Sequence, residues 1–184
     1  NKDITIDFDK HTYTFTDGVG STGTPSNGFQ ILKGNDVTLK NGTLNVAEES
    51  KDKFYILVQN YADLTVENMT LDGTNLDKWS LTDGDSYTLS NNSGNVNITG
   101  NTKITANDEG DKAYAFDACK YANYTEPVVT VENTVIIEGK VEAAAKIGNV
   151  HYATLPQAVA AAKDGETVKI MRDITLDQAI TVSD

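Results

Sequence analysis

A phrase of eight or nine residues occurs four times in this chain and leaves few folds open. It reads "VTLKNGTL" from Val37, "LTVENMTL" from Leu64, "VNITGNTKI" from Val96 and "VTVENTVI" from Val129. Each copy begins apolar–polar–apolar, the period-two alternation of a half-buried strand. Each then sets an Asn three residues before an aliphatic side chain: Asn41 and Leu44, Asn68 and Leu71, Asn101 and Ile104, Asn133 and Ile136. The third copy carries one extra residue, Gly100. Two weaker copies, "ITIDF" from Ile4 and "VKIMR" from Val168, keep the alternation without the Asn, so the starts fall 33, 27, 32, 33 and 39 residues apart. A period of this size means stacked supersecondary units. Alternation and β-branched residues exclude helical repeats, and each unit holds too few strands for a propeller blade.

Further apolar runs, "FQIL", "FYILV", "YTL" and "AYAF", precede the Asn-bearing strands. Two or three short strands per coil, stacked on the next coil, make a parallel β-helix. With 184 residues there is room for one such core and hardly for two. The composition agrees: 23 Thr favour strands and 17 Asn favour corners. The pattern predicts an all-β, parallel β-helix of five to six rungs with one short Ala-rich helix near the C-terminus. Residues 1–140 form its body. Residues 141–184 form a helix plus a terminal rung of the same or the next unit. Rungs lie ~4.8 Å apart, like over like. Asn41, Asn68, Asn101 and Asn133 are therefore expected to form a structural ladder, side chains inward and amides bonded from rung to rung.

At this point the chain resembles the right-handed parallel β-helix superfamily of pectate-lyase type. The stretch "AKIGNVHYATLPQAVAAAKDGETVKIMRDITL" (Ala145 to Leu176) is similar to a module frequent in large surface proteins of Gram-positive and gut bacteria. There a small strand, a short Ala-rich helix and a Lys-Asp-Gly turn lead into the first rung of a β-helix. The helix has its own signals: Thr154-x-x-Gln157 has capping-box form, Pro156 suits the first turn, and Gly165 is a natural terminator. In that family-like order, the tail "DITLDQAITVSD" would precede the head "NKDITIDFDKHTYTF". Either the chain is an excised piece of a repetitive protein, or copies join head to tail into fibres.

Charge narrows the partners. Fifteen bases against 27 acids give −12, which repels phosphate, so nucleic acid is a poor partner. Arg172 is the only Arg, and polyanionic substrates lose their usual clamp. No apolar run reaches the ~20 residues of a membrane span. Cys119 stands alone and reads as a small buried residue. His11 and His151 lack metal-ligand spacing and read as solvent-facing strand residues. "TDGVGSTGTPSNG" (Thr16 to Gly28) reads as a long loop without the Lys of a phosphate cradle.

No paired acids or nucleophilic triad stand out, so no catalytic residue is assigned. The loop "LDGTNLDKWSLTDGDSY" holds the lone Trp79 among Asp77, Asp83 and Asp85. It is the candidate ligand site, for a stacked sugar or Ca²⁺, against the plainer reading of a folded-back loop. No cofactor is otherwise expected. The expected function is a non-catalytic structural or adhesive module at the bacterial cell surface or outside the cell. The rival readings are a polysaccharide lyase or hydrolase and a carbohydrate-binding module.

Overall fold

The computed structural model describes residues 1–21, 24–77, 85–107 and 112–182. The chain coils into a β-solenoid of about four turns with one short helix. One face stacks β1 (Asp3–Asp7), the first halves of β5 (Asp36–Val46) and β7 (Asp63–Asp72), then β9 (Asn95–Thr99) and β12 (Val128–Val131), all parallel. Val37 pairs Leu64, Leu64 pairs Val96 and Val96 pairs Val129, so the aliphatic column expected from the repeat is present. All four side chains are buried.

At the Asn corner the chain turns onto a second face. Here β2 (Thr12–Phe15), the second halves of β5 and β7, β10 (Lys103–Thr105) and β13 (Ile136–Glu138) stack. Leu44, Leu71, Ile104 and Ile137 form its inner column. The third face is a separate six-stranded sheet. Its parallel part is β4 (Thr24–Ile31), β6 (Ile56–Asn60), β8 (Ser86–Asn91), β11 (Ala113–Asp117) and β14 (Lys140–Glu142). Phe54, Leu57, Val58, Leu89 and Phe116 fill the space between the faces with no exposed surface. At ~1.5–3 kcal/mol per large buried apolar side chain, these columns dominate the folding free energy.

Three expectations need correction. The rung count falls short of five to six, because Val168–Ile170 (β17) does not join the parallel stack. It pairs antiparallel with β15 (Ala145–Ile147), which pairs antiparallel with β16 (Val150–Tyr152). β16 in turn lies antiparallel on β12. The stretch Thr16 to Gly28 is not all loop, because β3 (Val19–Ser21) folds antiparallel onto β4. The helix α1 (Leu155–Ala161) starts as expected, with Thr154 Oγ1 accepting from the Gln157 N–H at 3.2 Å. It ends at Ala162 in an extended conformation, three residues before Gly165. No described helix is long and apolar enough to cross a membrane.

Candidate functional site

The Asn corner is where the sequence misleads. Asn41 and Asn68 hold left-handed backbone (φ 59° and 52°), the conformation Asn tolerates best after Gly. That backbone lets the chain turn between faces, but it points the side chain away from the core. Asn68, Asn101 and Asn133 are exposed and Asn41 is half-buried. Their amides do not bond to one another: Asn41 Nδ2 reaches Asp7, Asn68 Oδ1 accepts the Asn101 backbone N–H at 3.0 Å, and Asn133 accepts from Asn149. In the third copy the left-handed position passes to Gly100 (φ 64°), whose Cβ would collide with Asn68 Oδ1. The inward ladder expected at Asn41, Asn68, Asn101 and Asn133 is thus an outward corner.

A buried Asn ladder does exist, one corner earlier. Asn60 and Asn91 are neighbours in register, and neither has exposed surface. Asn60 Nδ2 donates to Asn91 Oδ1 at 2.9 Å and to the Ala62 carbonyl at 2.6 Å, while Asn60 Oδ1 accepts the Ala62 N–H at 3.2 Å. These bonds satisfy the backbone of a corner that water does not reach. Aligning "LVQN" with "TLSN" on the strand before the corner would have shown it.

The densest chemistry among the described residues lies on the six-stranded sheet. Gln30, Gln59 and Ser90 follow one another in register, and the Ser90 hydroxyl leads on to Asp117, which pairs Glu142. Ligand atoms of Asp117, Cys119 and Glu142 lie within 4.8 Å of one another. The Tyr87 hydroxyl donates to Glu142 at 3.0 Å, and its ring stacks on Tyr114 at 5.2 Å. Burial pushes the Asp117 carboxyl up to about 8, the Asn91 N–H partly offsets this, and Glu142 adds to it by repulsion. Burial, then Asp117 and Glu142, drive the Cys119 thiol upward. The Tyr87 hydroxyl is driven up too, by burial and by Glu142. Cys119 is half-buried rather than buried.

Two close carboxylates invite comparison with a glycosidase pair, whose groups stand ~5–5.5 Å apart in retaining enzymes. Access argues against it here. Asp117 is 3% exposed and accepts the Asn91 N–H and the Ser90 hydroxyl, so no sugar oxygen can approach it. A thiol with two carboxylates is also a poor Ca²⁺ shell, which wants six to eight oxygens. Exposed Arg172 forms no ion pair with this cluster, though its field reaches Cys119 and Tyr114.

Trp79 and Asp83 of the expected sugar or Ca²⁺ loop lie outside the described residues, which leave out 78–84. Asp77 is half-buried, with its N–H bonded to the Phe54 carbonyl; Asp85 sits 3.9 Å from Lys112. His11 is exposed. His151 is not: it is 7% exposed, its ring packs edge-on against Phe116 at 5.1 Å, and burial lowers its pKa. The capping hairpin places it over the last turn, which the alternation alone did not reveal.

An open groove of about 640 Å³ runs along the corner between the third and first faces. Asp3, Asp36, Asp63 and Asn95 line it in register, with Tyr61 and Glu126 beside them. No family model matches this sequence, and no curated protein or solved structure gives a match.

Proposed function

We propose that the chain is a non-catalytic structural and adhesive β-helix module of an extracellular bacterial surface protein. The observation that carries this is the uninterrupted stack. Five strands from β1 to β12 pair in parallel with like residues over like, and the corner beside them is locked by the Asn60–Asn91 ladder. Such a stack is a stiff body whose backbone groups are already used, which resists proteases and transmits load. The likeness of Ala145 to Leu176 to bacterial surface modules of pectate-lyase-like fold supports the location. The test is incubation with polygalacturonate and common neutral polysaccharides, with and without Ca²⁺, beside limited proteolysis. Absence of products and an intact core fit the proposal. Product formation lost on changing Asp117 or Glu142 would overturn it.

The module also stacks on itself in this proposal. The outer edge of β1 has no partner strand among the described residues, and the cleft at this end, about 320 Å³, is lined by Ile4, Ile6, Phe29 and Leu32. Ile4 and Leu32 are 41% and 59% exposed. The tail stretch Asp173-Ile-Thr-Leu-Asp177 repeats the pattern of Asp3-Ile-Thr-Ile-Asp7, which makes a second copy the fitting occupant. A head-to-tail contact of this kind does not close, so mass should grow with concentration in light scattering and Ile4→Lys should abolish the growth. A strict monomer at millimolar concentration would refute stacking and leave the scaffold proposal standing.

A further inference from the structure

We infer that the hairpin capping the late end of the stack is an acid-released latch over a docking edge for a second copy of this chain. The latch would regulate the proposed stacking, and it rests on the premise that copies meet end to end. β16 lies antiparallel on β12, in the place where one more parallel rung would stand. While it stays there, no strand of another copy can pair with the first face at this end. The outer edges of β13 and β14, on the other two faces, have no partner strand among the described residues. The capping hairpin is what separates a closed late end from an open rung.

Its sensitive point is His151. In register it faces Val129 on β12 and Lys146 on β15, and Lys146 in turn faces Lys169 on β17. The inner aliphatic column therefore runs on into the cap as His, Lys and Lys. His151 is buried, and its Nδ1 has no hydrogen-bond partner. From β11 it meets the Phe116 ring edge-on. Asp117, the next residue, is already engaged by the Asn91 N–H and the Ser90 hydroxyl. The helix α1 carries no charged side chain. The charged group acting on the ring is thus a cation, Lys146, which joins burial in disfavouring the imidazolium. Contacts with the Val129 and Asn149 backbone oppose this without reversing it. A protonated ring here is a buried cation with no carboxylate beside it among the described residues. In the released hairpin the ring takes up a proton at the ordinary value of 6.5. Closure is therefore favoured in full above that pH and weakens as pH falls below it, by at most about thirtyfold at pH 5.

Release bares an edge that the early end of a second copy fits. On the first face, Ile4 and Ile6 of β1 begin the columns that end at Val129 and Val131. On the second face, Tyr13 of β2 begins the column that ends at Ile137. A second copy set one rung beyond β12 would place its Ile4 over Val129, its Ile6 over Val131 and its Tyr13 over Ile137. Strand direction and apolar columns then continue unbroken across the junction. Ile4 and Tyr13 are exposed at the early end and would be covered by this contact.

The experiment is hydrogen–deuterium exchange of the whole chain at pH 7.5 and pH 5, corrected for the intrinsic pH dependence of exchange, beside light scattering of the same samples. At pH 5, residues 145–170 should exchange several-fold faster while β5, β7 and β9 stay protected, and mass should grow with concentration. His151→Gln and His151→Phe, which cannot take the proton, should hold the cap closed and suppress the acid-induced growth. Ile4→Lys should suppress that growth and leave the acid opening of the cap intact. Unchanged exchange at pH 5, opening that persists in both His151 variants, a monomer at pH 5, or growth that survives Ile4→Lys would overturn the inference. The tail contact of the proposed stacking is read at pH 7.5, where the cap is closed. A monomer there with growth at pH 5 removes the tail contact alone, and growth there with an unmoved cap at pH 5 removes the latch alone.

Discussion

Replacing Asn60 by Ala should be among the most damaging single changes in the chain. The side chain has no exposed surface and makes bonds in both directions. Its removal strips the acceptor from the Ala62 N–H (3.2 Å) and the donor from Asn91 Oδ1 (2.9 Å), and water cannot easily replace either. Each buried orphan costs ~1–3 kcal/mol, so the pair sums to about 2–6 kcal/mol, a large fraction of an ordinary domain's 5–15 kcal/mol. Asn60→Asp should be worse at neutral pH. Its carboxylate would face the carbonyl oxygens of Ala62 and Ser93 and the Oδ1 of Asn91, all now met by the amide. The assay is urea unfolding followed by circular dichroism, with the midpoint falling and the slope unchanged. Asn91→Ala in a double-mutant cycle should show coupling of ~1 kcal/mol or more, because the two singles break one shared bond. Asn68→Gly is the comparator: it keeps the left-handed corner and loses only an exposed acceptor, so its cost should be near zero. If Asn60→Ala costs no more than Asn68→Gly, the ladder does not hold this corner.

Two further outcomes follow from the Asp117 cluster. The Asp117 carboxyl rises to about 8 in the fold from an ordinary 3.8, so the folded chain holds a proton that the unfolded chain releases. Its contribution is therefore full below pH ~4 and is lost as pH rises through about 8. Melting temperature should decline between pH 5 and pH 9, and Asp117→Asn, which keeps the acceptor for the Asn91 N–H, should flatten that decline; an unchanged slope would refute the assignment. The Cys119 thiol, driven upward by burial and by two neighbouring acids, should react with a disulfide reagent at pH 8 far more slowly than after unfolding in urea. Equal rates in the two states would show the thiol to be neither shielded nor neutral.

Strand pattern was legible because it is set by the hydrophobic effect along a period of two, and a stack of like rungs repeats it. Val37, Leu64, Val96 and Val129 could be aligned by eye, and they do form one column. The Asn corner was located for the same reason, but its side-chain direction was not. Asn at a turn serves either by bonding inward or by tolerating left-handed backbone, and the sequence looks the same in both cases. Asn41 and Asn68 follow the second route, Asn60 and Asn91 the first. The Asp117 cluster was hidden by distance: Ser90, Asp117 and Glu142 meet only through sheet register, which no local motif encodes. The ring contact between Tyr61 and Tyr121 escaped for a similar reason. Tyr61 is sixty residues from Tyr121 in sequence, and only the coil brings the two together.

The two ends of the stack differ in kind, and this limits how the module can be joined to anything else. At the late end β12 is covered by β16 running the opposite way, with β15 and β17 beyond it. A parallel rung needs the next strand to run in the same direction with like residues above like, so this hairpin ends the repeat instead of extending it. Helix α1 seals the arrangement by burying Ala158 against the second apolar cluster, with Ala145, Ile147 and Tyr152. The early end has no such device among the described residues. β1 keeps a free edge, and Ile4, Tyr13 and Leu32 remain open to solvent. On the first face, a strand that extends the parallel stack in register must therefore meet β1, whereas the outer edges of β13 and β14 also have no partner strand among the described residues. Val168–Ile170 already has one edge held by β15. In the proposed stacking, the segment that meets β1 is Asp173–Asp177, whose pattern matches β1 residue for residue except Leu176 in place of Ile6. Substituting Thr175 by Pro, which removes an N–H from a strand-forming segment outside every described element, should then block assembly and leave the melting temperature of the isolated chain unchanged.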